Sequence, residues 1–197
     1  MSTGRVEAFS DGVIAVAITL LVLNLRVPIT NGSLLAALAD EWPAFVAFFI
    51  SFLGIGIVWV NHHAFFHSLA RVDRTMLFAN LGFLMAVVLI PFTTSLFAEY
   101  VGRTGSQASV AAALFNGAQL LMGAGFQSSR VWVERHPGLL RPDAALPTRM
   151  QRFRVRAGML VYIACIPIAF LSPIAVLVLD GLVGVYYIVD HMAPSAK

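Results

Sequence analysis

The chain is built from apolar blocks of membrane-spanning length, separated by short links that carry its prolines and charges. A helix rises 1.5 Å per residue, so about 20 apolar residues cross the roughly 30 Å hydrocarbon core of a bilayer. Only 12% of residues are charged, about half of what a soluble surface of this size needs, and mean hydropathy is +0.83. These features predict an all-α integral membrane bundle, one domain over 1–197, with no soluble domain.

The spans are expected at about 9–27, 42–66, 75–97, 108–131, 153–171 and 173–189, giving six transmembrane helices. Pro28 stops the first, and the 30–41 stretch reads as an external connection with a short amphipathic turn. Pro43 suits the first turn of the second. Pro91 marks a kink in the third. Glu134–Arg156 reads as a loop whose end, Arg149–Arg156, forms the wet first turns of the fifth helix. Ser172-Pro173 reads as an N-cap followed by proline at the first helical position. Asp180-Gly181 interrupts the last block, so a single kinked helix to Leu179 with a short re-entrant tail is the rival division.

The net charge of +3 and pI of about 9.5 could suggest nucleic acid, but the basic residues sit at the ends of apolar blocks and read as topology signals. With six spans, eleven of the thirteen Lys and Arg fall on one side, leaving Arg26 and Arg103 on the other. That bias places both termini in the cytoplasm, with no nucleic-acid partner expected. The first apolar run, Val13–Leu23, is followed by Asn24-Leu25-Arg26-Val27-Pro28 rather than a cleavage site, and is expected to be retained. Cys165, the one cysteine, lies inside an apolar block and reads as a small buried residue.

Polar residues inside apolar spans are expensive, so each requires a reason. In the first span these are Ser10, Asp11, Thr19 and Asn24. On a wheel of about 100° per residue with Asp11 at the origin, Ser10 falls at about 260° and Thr19 at about 80°. Val16, Leu20 and Leu23 fall at about 140°, 180° and 120°, making an apolar stripe turned away from Asp11, with Thr19 on its edge. Ordinary helix packing accounts for such a stripe on its own. Asp11 likewise suits a helix start.

The second span ends Trp59-Val60-Asn61-His62-His63-Ala64-Phe65-Phe66-His67. His63 and His67 share a helix face as a metal pair could, but no acidic or cysteine ligand is near in sequence, so no metal site is expected. The histidines are expected instead to hydrogen-bond buried polar groups, with Ser10 and Asp11 the natural candidates and Trp59 packing beside them or donating its N–H. The third span carries Asn80 and Pro91-Phe92-Thr93-Thr94, where the threonines can satisfy carbonyls freed by the proline. Asp180 reads either as a functional intramembrane carboxylate or as half of a turn with Gly181. No Gly-rich phosphate loop, nucleophile elbow, TVGYG filter or Arg-rich voltage sensor is present.

The run Arg5-x-x-x-Phe9-Ser10-Asp11-Gly12-Val13, continuing to Thr19-Leu20-Leu21-Val22-Leu23, resembles the signature of the transmembrane protein 175 family of endosomal and lysosomal potassium channels. Trp59-x-x-His62-His63-x-x-Phe66 is similar to a second block of that family, and Asn80-Leu81 with Pro91-Phe92 to a third. The resemblance implies a prokaryotic single-repeat member, a homotetramer whose first helix lines the pore without a re-entrant filter loop. It implies a constriction at Val16, Leu20 and Leu23, with a threonine layer at Thr19. It implies a bracing network of Arg5, Phe9, Ser10, Asp11, Trp59, His62, His63 and Asn80 around the pore helix. Some members carry isoleucine or leucine where this chain has Val16, and the smaller side chain leaves that ring wider. The implied activity is passage of potassium, selective or weakly selective over sodium, in a prokaryotic cell membrane. No cofactor or catalysis is expected. The rival functions are a proton-coupled transporter using Asp11 or Asp180, a metal protein using His62, His63 and His67, and a non-transporting structural subunit.

Overall fold

The computed structural model describes residues 2–25, 28–29, 31–102, 106–144 and 148–192, with backbone alone at 151, 155 and 190–192. Arg26, Val27, Arg103, Pro147 and Lys197, which enter the expected span limits, loop or charge bias, lie outside the described residues. The elements are α1 (Thr3–Leu20), continued by a 3-10 turn (Leu21–Asn24), α2 (Leu34–Asp40), α3 (Trp42–His67), α4 (Arg74–Tyr100) and α5 (Ser106–Arg135). A second 3-10 turn (Pro137–Leu139) leads to α6 (Arg149–Ile168) and α7 (Pro173–Met192).

Among the described residues, four stretches are long and apolar enough to cross a membrane: Thr3–Asn24, Trp42–His67, Arg74–Tyr100 and Ser106–Arg135. α7 supplies a shorter apolar stretch, Pro173–Val189. α6 opens with Arg149, Arg152, Arg154 and Arg156, which leaves its apolar part short. The chain is thus a helical membrane protein, and the first helix starts at Thr3, before the apolar block begins, with Val6 of the added turns buried.

Local chemistry sets the helix limits. The Asp73 carboxylate caps α4, accepting from the Met76 N–H at 2.8 Å. Ser172 Oγ accepts from the Ala175 N–H at 3.2 Å and Pro173 opens α7. Ser33 caps the short α2 within the connection between α1 and α3. α7 runs unbroken through Asp180-Gly181, so that pair forms no turn. Gly181 faces Ile50 of α3, where a Cβ would lie in ordinary contact at 3.7 Å.

α4 is the central helix, the most buried of the four long spans. It packs on α5 so closely that a Cβ at Gly125 would lie 2.9 Å from the Phe83 Cα, a separation only glycine permits. α1 lies against α4 and α3 through Ile14, Ala17 and Leu21, which join Ile55, Phe83, Val87 and Ile90 in one cluster. A second cluster joins α3 to α5, α6 and α7 around Phe97, Phe115, Cys165 and Val176. The third, around Val6, Phe66, Met76 and Leu139, closes one end of the bundle. There the start of the long basic loop is pinned to the α3–α4 link: Ala70 N–H donates to the Leu139 carbonyl at 2.9 Å, and Arg141 N–H to the Ser68 carbonyl at 2.9 Å.

Candidate functional site: the first helix and its braces

α1 has two unlike long faces. Val6, Ser10, Ile14, Ala17 and Leu21 are buried against α3 and α4. Val16 (57% exposed), Leu20 (41%) and Leu23 (75%) stand uncovered, with Thr19 exposed beside them. The Thr19 hydroxyl donates to the Val16 carbonyl at 2.8 Å, which leaves the lone pairs of its oxygen facing outward. About two turns of apolar side chain are therefore left largely uncovered among the described residues.

The buried face is held by a directed chain of hydrogen bonds. Ser10 Oγ donates to the Val6 carbonyl at 2.9 Å. That leaves its lone pairs to accept from Asn80 Nδ2 at 2.9 Å. Asn80 Oδ1 then faces His62 Nε2 at 2.9 Å, and because this oxygen can only accept, the proton of His62 sits on Nε2. The imidazole is sandwiched between Phe66 and Phe83, at ring-centroid distances of 4.4 and 5.3 Å. One turn on, Trp59 Nε1 donates to Asp11 Oδ1 at 2.9 Å. At its far end α1 is tied by Asn24 Nδ2, which donates to the Pro91 carbonyl at 2.9 Å.

Five of the eight bracing residues are thus joined: Ser10, Asn80 and His62 in one chain, Asp11 and Trp59 in a second bond. His62 reaches Ser10 only through Asn80. His63 turns elsewhere, its Nδ1 lying 2.9 Å from Glu7 Oε1, with His67 Nε2 at 3.7 Å from the same oxygen. Arg5 and Phe9 are exposed, and neither reaches the network among the described residues. Glu7 is the residue that sequence reading passed over. It lies four positions before Asp11 on the same helix face, and that spacing was the available signal.

The threonines after Pro91 serve α4 itself. Thr94 donates to the Ile90 carbonyl at 2.7 Å, and Thr93 to Ile90 and Leu89 at 3.1 and 3.3 Å. Neither reaches the Val87 carbonyl, the one that Pro91 leaves without its helical N–H. The Ser51 hydroxyl joins α3 to this stretch, 2.7 Å from Thr94 Oγ1. Asp180 lies across the bundle on α7, buried, with neither carboxylate oxygen hydrogen-bonded.

Outside the spans, the Asp73 carboxylate also accepts from Trp132 Nε1 of α5 at 3.0 Å. The Met76 backbone N–H, with the indole adding to it, holds Asp73 below the usual aspartate pKa.

A family profile described as "Endosomal/lysosomal potassium channel TMEM175" matches residues 5–91, the stretch that holds α1, α3 and most of α4. A protein named as a potassium channel in Streptomyces collinus is 43% identical over 188 residues, covering 94% of this chain and 91% of that one. The human endosomal/lysosomal proton channel TMEM175 is 40% identical over 112 residues, half of this chain and 22% of its own. The crystal structure of a lysosomal potassium-selective channel TMEM175 homolog from Chamaesiphon minutus superposes with a TM-score of 0.82 at 34% identity, covering 95% of this chain and 97% of that one.

Proposed function

This chain belongs to the TMEM175 family, and from that premise we propose that it is a potassium channel whose pore is lined by α1 in a homotetramer. The observation that carries this reading is the bare stripe of Val16, Leu20 and Leu23 on a helix whose opposite face is fully braced. A lone helix in lipid has no need of such bracing. A helix that must hold side-chain rings in register around an axis does.

Four copies of the stripe turned inward form stacked apolar rings. A narrow apolar ring holds water poorly and closes by dewetting. Opening then requires α1 to move outward or rotate, and the hydrogen bonds to Asn80, Trp59 and Pro91 define what it moves against. The outward lone pairs of Thr19 supply an oxygen layer for a partly dehydrated potassium ion. Each step is binding, dehydration or steric closure, so no catalytic group or cofactor is involved, and potassium is the permeant species. α6 and α7 complete six spans, the arginines of α6 lying at the cytoplasmic surface of the cell membrane beside both termini.

The test is potassium flux into proteoliposomes of the purified chain, with sodium as comparison. Passive, potassium-favouring flux is expected, with Leu20→Ala and Leu23→Ala each raising leak and narrowing selectivity. Unchanged flux of both ions in both variants would remove α1 from the pore.

A further inference from the structure

Glu7, His63 and His67 bring one carboxylate oxygen and two ring nitrogens within 4.8 Å of one another, at the end of α3 and the beginning of α1. We propose that these three residues form a binding site for a zinc-like transition-metal ion that clamps α1 to α3.

The donor set is the first argument. Two imidazoles and one carboxylate suit zinc and its borderline-soft neighbours, whereas magnesium and calcium take oxygen ligands. Three protein ligands leave a fourth tetrahedral position for water.

Geometry is the second argument. Ligand atoms on a zinc ion at about 2.0–2.1 Å lie roughly 3.3 Å apart. Here Glu7 Oε1 is 2.9 Å from His63 Nδ1 and 3.7 Å from His67 Nε2, bracketing that separation. The two rings come from successive turns, 4.5 Å apart between centroids and at 75° to each other, with their ligand atoms within 4.8 Å.

The third argument is an unmet need. Glu7 Oε1 is buried and has no hydrogen-bond partner, although His63 Nδ1 lies 2.9 Å from it. A buried carboxylate oxygen without a donor is costly, and a cation shared with the two histidines removes that cost. The histidines themselves are open to solvent, at 47% and 60% exposure, which gives an ion a way in.

The site also continues a pattern. Glu7 and Asp11 are four apart on α1, and Trp59, His63 and His67 are spaced by four on α3. Successive turns of the two antiparallel helices therefore meet twice, once through the Trp59–Asp11 hydrogen bond and once through this cluster.

The experiment uses the full chain in detergent after chelation. Cobalt(II) is titrated as the visible probe, and zinc is then used to displace it. One ion per chain is expected, with a visible absorption band that zinc abolishes and a thermal midpoint raised by either metal. Glu7→Gln and His67→Gln should each weaken cobalt binding by more than the roughly 10- to 100-fold that loss of an outer-shell partner causes. His67 is exposed, so its replacement leaves the fold intact, and His136→Gln, outside the cluster, should bind as the parent does. No metal-dependent band or midpoint shift in the parent overturns the proposal. So does undiminished binding in both Glu7→Gln and His67→Gln, which would leave the cluster a simple ion pair.

Discussion

Asn80 and Asp180 are equally hidden, at 2% and 1% exposure, yet one is fully engaged and the other has no hydrogen-bond partner. Asn80 spends its carbonyl on His62 and its amide on Ser10, and through them joins α4 to α3 and α1. The Asp180 carboxylate, buried on α7, has no hydrogen-bond partner. The difference separates two uses of polarity in apolar surroundings. Around α1 it fixes position, since each bond ties the helix to a neighbour. On α7 it contributes no such constraint, and the helix is held by Cys165, Val176, Leu177 and their neighbours instead.

The sharpest way to break this comparison is Asn80→Ala. It strands His62 Nε2, at roughly 1–3 kcal/mol for an unsatisfied buried group, and removes one bond to Ser10 Oγ, at about 1 kcal/mol since that hydroxyl keeps the Val6 carbonyl, so the loss should be about 2–4 kcal/mol. Thermal unfolding in detergent reads this directly, and a midpoint equal to the parent's would mean that the chain of bonds carries no weight. Trp59→Phe keeps the ring and removes one N–H to a half-exposed carboxylate, so about 1–2 kcal/mol is expected, with flux altered as well.

Asp73→Ala removes the α4 cap and should cost about 1 kcal/mol. Asp73→Asn isolates the charge. The folded pKa lies below the unfolded value of about 3.9, so the stabilisation is complete above that value and is lost as pH falls through the folded pKa. The fall in unfolding midpoint below about pH 4 should be shallower in Asp73→Asn than in the parent. Smallest of all, Asp180→Asn should leave the midpoint within about 0.5 kcal/mol of the parent or raise it, because a buried carboxylate without donors gives up no bond on replacement. A large loss there would place Asp180 in a network as firm as that of Asn80.

Much of this was legible in the sequence because apolar block length and wheel position depend on local spacing alone. Two-facedness is one example: the stripe of Val16, Leu20 and Leu23, turned away from Asp11, follows from about 100° per residue. The Ser172-Pro173 start of α7 is another, since cap chemistry is local. What spacing could not give was the identity of partners across helices. Ser10, Asn80 and His62 were each expected to need a partner, but their order along one chain depends on how α1 and α4 cross. Glu7 was missed because its partners lie 56 and 60 positions away, on another helix. The Asp180-Gly181 pair has the composition of a turn, yet α7 runs through it, with Asp180 buried, Gly181 half-buried and both well inside the helix rather than at its end.

The central claim, that the exposed stripe of α1 lines the path of the ion, is tested most directly at Leu23, its barest position. Leu23→Cys is reconstituted, and potassium flux is measured before and after a positively charged thiol reagent. The account predicts that modification cuts flux in Leu23→Cys and leaves the parent, whose Cys165 is buried, unaffected. Complete labelling of the new cysteine with flux unchanged would contradict it.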